Sequence, residues 1–136
     1  MSRSNVEVVR RLYEAFNQGA VDSVLEGADP DLEFDASERL PDEGVKRGRD
    51  AYRRFVERTF ETWARFRVEV DELLDAGDAV VAVVRIAGVG RASQVAVEER
   101  SAHVLWLREG RPYRFKVFAD RDEALRAVGL LEQPGP

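Results

Sequence analysis

The 136-residue chain has no cysteine, a single histidine (His103), one methionine and only two lysines, Lys46 and Lys116. Without cysteine there is no disulfide, thiolate-bound metal, iron–sulfur cluster or cysteine nucleophile. One histidine excludes a multi-histidine zinc site. The longest apolar run, Ala79 to Val84, is far short of the roughly 20 residues that cross a bilayer. Lys and Arg number 21 against 26 Asp and Glu, a net charge of −5. That is the wrong sign for a surface that neutralises phosphates, so no nucleic-acid partner is expected. The first residues, Met1-Ser-Arg-Ser-Asn-Val-Glu7, lack the apolar core of a signal peptide. These absences predict a soluble, cytoplasmic protein with no membrane partner, no metal and no cofactor.

What is present fits one globular domain: 44% of residues are hydrophobic and 35% charged. The domain is expected over residues 1–131, followed by a frayed tail, 132–136. Ser4 with Glu7 reads as a capping box, and Val6, Val9, Tyr13 and Phe16 recur at helical spacing until Gly19. A short second helix carries Val21, Val24 and Leu25. Leu32 to Asp35 alternates apolar and acidic residues, the pattern of a short strand. Ala36 to Gly48 has no period and reads as a loop. Arg49 to Trp63 is the clearest helix, its stripe formed by Tyr52, Phe55, Val56, Thr59, Phe60 and Trp63.

The second half reads as sheet. Val68–Asp75 and Ala79–Ala87 flank the turn Ala76-Gly77-Asp78. A glycine-rich link, Gly88 to Gln94, leads to a long strand, Val95 to Leu107; after Glu109-Gly110 comes a last strand, Tyr113 to Phe118. Asp122 to Val128 is a final short helix. Helices first and antiparallel strands afterwards predict an α+β fold.

Strand alternation puts Val97, Glu99, Ser101, His103, Leu105 and Leu107 on one face of the long strand. Polar and ionisable groups mixed with apolar ones suit a pocket better than a sealed core, where each needs a partner. The plain alternative is a histidine that bonds to Glu99, Ser101 or water and does no chemistry. Glu72 reads as an ion-pair partner for an arginine such as Arg85. Gly88-Val-Gly90 is not a phosphate loop, because a strand follows it where a helix would have to start. Arg10-Arg11 and Arg53-Arg54 read as solvated helix faces paired with nearby acids.

The segments Tyr13-Glu-Ala-Phe-Asn-Gln-Gly19, Ala28-Asp-Pro-Asp-Leu-Glu-Phe-Asp35, Lys46-Arg-Gly-Arg-Asp50, Leu74-Asp-Ala-Gly-Asp-Ala-Val80, Val104-Leu-Trp-Leu-Arg-Glu-Gly-Arg111 and Asp122-Glu-Ala-Leu-Arg-Ala-Val-Gly129 stand in this order along the chain. Together they resemble the NTF2-like proteins, in their SnoaL-like, ketosteroid-isomerase-like branch. The resemblance implies a cone: a curved mixed or antiparallel sheet wrapped around a long helix, enclosing a hydrophobic pocket, often in homodimers joined through their sheets. It places Asp35 where isomerase relatives carry their general base, with Glu33 as the alternative acid. His103 falls where they carry a protonated acid. Their helix tyrosine maps to Leu12, and Tyr13, one position on, should point about 100° away. Ser101 stands where hydrolases of this fold carry an arginine. Phe115 and Val117 fall on the pocket wall.

The sequence therefore predicts a catalytic pair, Asp35 and His103, in a pocket whose ligand contacts include Tyr13, Phe55, Trp63, Glu99, Ser101, Phe115 and Val117. The expected ligand is a small apolar or polycyclic molecule. The expected chemistry is cofactor-free proton transfer of the isomerase, cyclase, dehydratase or hydrolase type. The competing expectation is a binding or dimerisation module without turnover; a third is a domain whose interior is filled by its own side chains.

Overall fold

The computed structural model describes residues 2–132, with side chains from residue 5 onward. The elements run α1 (Ser2–Asn17), α2 (Val21–Gly27), β1 (Glu33–Asp35), β2 (Val45–Arg47), α3 (Arg49–Thr62), β3 (Trp63–Asp75), β4 (Ala79–Gly90), β5 (Ala96–Arg108), β6 (Arg111–Phe118) and α4 (Arg121–Ala127). The first helix starts before Ser4, and the capping box expected there lies outside the described side chains. The tail expected over 132–136 lies almost wholly outside the described residues.

The strands form one curved six-stranded sheet in the order β2-β1-β6-β5-β4-β3. All neighbours are antiparallel except β1 and β6, which run parallel. One departure from the sequence reading lies in the segment 36–48. It contains β2, which zips onto β1 with Phe34 opposite Lys46. Three residues of mixed polarity carry too short a pattern to be told from loop; only their partner makes them a strand. Similarly, Gly88–Gly90 belongs to β4 rather than to a link, because strand pairing satisfies the backbone that glycine leaves uncovered. Helix α3 passes into β3 at Trp63 without a loop.

Bulges set which face each residue takes. In β3 the pairing shifts between Ala64 and Arg67 and again between Val70 and Glu72. Each shift adds one residue and reverses the alternation. Trp63, Phe66, Val68, Val70 and Leu73 consequently all face the helices, while Leu74 turns to the outer face. The β5–β6 turn is the pair Glu109-Gly110, with φ of 53° and 73°. Both values are positive, as the type I′ two-residue hairpin turn requires.

The helices cover the inner face. Val9 and Tyr13 of α1 pack with Val68, Val80, Ala82, Val84, Leu105 and Leu107. Val9, Val80 and Val84 are fully buried, and each such side chain contributes about 1.5–3 kcal/mol by leaving water. Helix α4, capped by Asp120 accepting from the Glu123 amide at 2.9 Å, closes the outer face over Val81, Ala102 and Val104. No described helix is long and apolar enough to cross a membrane.

Candidate functional site

Between the helices and the inner sheet face lies a cavity of about 480 Å³. Helix α1 contributes Leu12 and Tyr13, α3 contributes Tyr52 and Phe55, and the bulged start of β3 contributes Trp63 and Phe66. One wall is aromatic: Phe34 sits with ring centroids 4.9 Å from both Tyr52 and Phe55 and 5.0 Å from Phe115. The exposed lining residues, Glu38, Leu40, Val97 and Glu99, mark the opening. Gly88 leaves room for the rings of β3, since a Cβ there would lie 3.3 Å from Phe66 and 3.4 Å from Trp63.

Among the described residues, one buried polar pair lies inside this largely apolar space. His103 on β5 is 5% exposed and Tyr13 on α1 is 7% exposed. The Tyr13 hydroxyl and His103 Nδ1 lie 2.6 Å apart and share a hydrogen bond. The two rings stack at 17°, and Phe115 lies 4.9 Å from the imidazole. Burial, and secondarily the positive charge of Arg39, push the His103 pKa down to about 3 from the ordinary 6.5. Burial pushes the Tyr13 phenol well above its usual range. Both groups are therefore neutral near neutral pH. A neutral imidazole bound through Nδ1 turns Nε2 towards other work, as a donor or an acceptor according to tautomer. Tyr52 brings a second buried phenol to the same cavity, its ionisation likewise opposed by burial.

The sequence-derived site assembles only in part. Tyr13, Phe55, Trp63, Glu99, His103, Phe115 and Val117 all line the cavity. Tyr13 reaches it despite its offset from Leu12, because the space is wide enough to touch both positions. Ser101 shares their face, but its hydroxyl donates to the Phe118 carbonyl at 3.0 Å and it is not part of the lining. Asp35 is a correction. In the parallel β1–β6 pair Phe34 lies opposite Phe115 and Asp35 opposite Lys116. Since Phe34 and Phe115 face the cavity, Asp35 faces away from it. Its Oδ1 accepts from the Ser37 hydroxyl at 2.6 Å and the Ser37 amide at 3.0 Å. Those bonds, aided by Lys116 and Arg114, hold the carboxyl below its usual range. Asp35 and His103 are not brought together. The alternative acid, Glu33, also points outward and pairs with Arg47 at 2.7 Å and Arg114 at 3.5 Å.

Other pairings also differ from expectation. Glu72 pairs with Arg121, and Arg85 with Asp71, because the second β3 bulge changes which acid meets which strand. Arg10 meets Glu7 and Arg53 meets Asp22, as solvated helix faces do. Two cavity residues do not stand out in the sequence. Tyr52 is legible only as one member of a helical stripe; its polar tip is the signal. Arg39 sits in an aperiodic polar stretch and carries no signal at all.

Among the described residues, no three His, Asp or Glu side chains gather as a metal-ligand set. No functionally curated protein sequence matches the chain. A solved NTF2-like protein of unknown function from Burkholderia pseudomallei matches at 24% identity, over 94% of this chain and 98% of that one, with a TM-score of 0.79. An NTF2-like protein from Burkholderia thailandensis is 28% identical over 96% of this chain and 98% of its own, with a TM-score of 0.77. TerC co-crystallised with polyporic acid is 19% identical over 93% of this chain and 98% of that one, also at 0.77. Likenesses at this level establish the NTF2-like α+β fold. The SnoaL-like domain model matches residues 9–115, most of the chain, and the protein belongs to the SnoaL-like domain family.

Proposed function

We propose that the protein binds a small, largely apolar molecule in this cavity and uses the Tyr13–His103 pair in cofactor-free proton transfer on it. The reaction would be of the isomerase, cyclase, dehydratase or hydrolase type. The observation that carries the reading is a neutral imidazole, anchored by a 2.6 Å hydrogen bond, in a cavity of about 480 Å³ with aromatic walls. With the Tyr13 hydroxyl donating to Nδ1, the ring proton sits on Nε2. A neutral N–H in an apolar site polarises a carbonyl and stabilises the negative charge that develops on its oxygen, while the α-proton passes to a solvent water at the cavity opening, from which a deuteron returns to the same carbon. In this role His103 replaces the protonated acid of the isomerase relatives, while Asp35 has no part.

The test is proton exchange on a simple apolar ketone. In D₂O the methyl group of 2-acetonaphthone should gain deuterium faster with the protein than without it. His103→Ala should abolish the acceleration while the variant stays folded. Exchange at the uncatalysed rate, in the presence of measurable binding, refutes turnover of this kind. It would favour a second reading, binding without chemistry, for which the placement of Asp35 outside the cavity is the supporting observation.

We further propose that two copies pair through the uncovered end of the outer sheet face. There the small apolar residues Ala87, Val89 and Ala96 lie between Arg85, Glu98 and Arg100. Mixed charges around small side chains suit a self-complementary twofold contact.

A further inference from the structure

The cavity walls are largely apolar, but among the described residues one cation faces the cavity. Arg39, between β1 and β2, is part of the lining. Its Nη2 donates to Glu99 Oε2 at 2.9 Å and to the Arg100 carbonyl at 3.0 Å. Both bonds use one nitrogen, and among the described residues Nε–H and the Nη1 amino group have no hydrogen-bond partner. A guanidinium fork is shaped to hold two oxygens at once, and here it holds a single carboxylate oxygen. The Glu99 side chain is 55% exposed and that of Arg39 is 30% exposed. Such a solvated pair is weak and readily exchanged for another acid. The other acid at the opening, Glu38, is turned towards the Ala119 amide at 3.5 Å and sits beside Glu123. The charge on Arg39 also reaches His103, whose protonation it opposes. Arg39 therefore projects its field into the cavity as well as outward.

We propose that Arg39 is the anion-reading group of the cavity, and that the ligand is an apolar ring system carrying a carboxylate, which displaces Glu99 from the guanidinium when the rings lie against the aromatic wall. This assignment rests on the reading of the cavity as a small-molecule site. Glu99 itself marks the carboxylate position, with one oxygen at hydrogen-bond distance from the guanidinium. The ligand would supply both oxygens from a less mobile frame, and its rings would fill space that the Glu99 side chain does not reach.

The experiment compares two probes of nearly equal shape, 2-naphthoate and 2-acetonaphthone, by calorimetric titration of the full chain. The carboxylate should bind about tenfold more tightly than the ketone, the scale of one charge-assisted contact. Arg39→Gln should bring the two probes within about twofold of each other. Glu99→Gln, which removes the competing acid and leaves Arg39 in place, should tighten naphthoate binding more than ketone binding. If Arg39 served only to latch its loop, Arg39→Gln would weaken both probes by the same factor, and that result overturns the proposal. Equal affinity of the unaltered protein for both probes also overturns it, while leaving the small-molecule cavity standing. No saturable binding of either probe overturns both readings.

Discussion

Mild acidification should destabilise this protein, and His103 is the reason. In the folded chain the imidazole pKa is held at about 3 by burial and by Arg39. In the unfolded chain it returns to about 6.5. The unfolded state therefore binds the proton first, and lowering the pH favours it. The contribution is complete above pH 6.5 and is lost progressively as pH falls towards 3, where the folded ring itself accepts the proton. Each pH unit within that window removes about 1.4 kcal/mol. Between pH 6.5 and 4.5 the loss is roughly 2.5 kcal/mol, a large share of the 5–15 kcal/mol typical of a domain. Asp29, Asp35 and Glu43 are also held below their usual ranges by hydrogen bonds, but depressed carboxyls lose their contribution only at lower pH. Urea unfolding at pH 7 and pH 4.5 measures the difference, with His103→Gln as the non-titrating comparison. That variant should lose most of the pH dependence in this window, whatever its stability at pH 7. Because the chain has one histidine, its NMR signal identifies itself. Protonation of the folded ring near pH 6.5, or equal acid sensitivity in both proteins, would refute the reasoning.

Further consequences can be measured directly. Tyr13→Phe strips His103 Nδ1 of its partner and should cost about 1–3 kcal/mol in chemical denaturation, the penalty of a buried group left unpaired. Asp35→Asn lies outside the cavity and should change neither ketone exchange nor probe affinity by more than about twofold; abolished exchange would show that the carboxylate reaches the cavity after all. Phe115→Ala removes the ring between His103 and Phe34 and should cost about 3 kcal/mol, read as a lower urea midpoint. Light scattering should give twice the 15.4 kDa chain mass, and Arg100→Glu should shift the population towards monomer.

Much of the architecture follows from local pattern. The periodicity of α1 and α3 and the alternation along β5 are properties of neighbouring residues, readable one after another. Alternation alone assigns His103 and Glu99 to one face of β5. Tyr13 is readable as part of a helical stripe, but its bond to His103 joins positions 90 residues apart. No local pattern encodes such a meeting.

The direction of Asp35 shows the same limit. Alternation states that Asp35 and Phe34 face opposite ways, but not which of them faces inward. That choice belongs to the β1–β6 register, which sets Phe34 against Phe115 and Asp35 against Lys116, and burying two aromatic rings outweighs burying a carboxylate. In β3 two inserted residues each reverse the alternation, and the first of them places Trp63 and Phe66 on the same side. Arg39 comes to the cavity only because its loop crosses β5 at Glu99. Residue order thus determined most of the elements and the alternation between bulges; long-range pairing made β2 a strand, set the bulges in β3 and decided which face turned inward, and with it which polar groups the cavity contains.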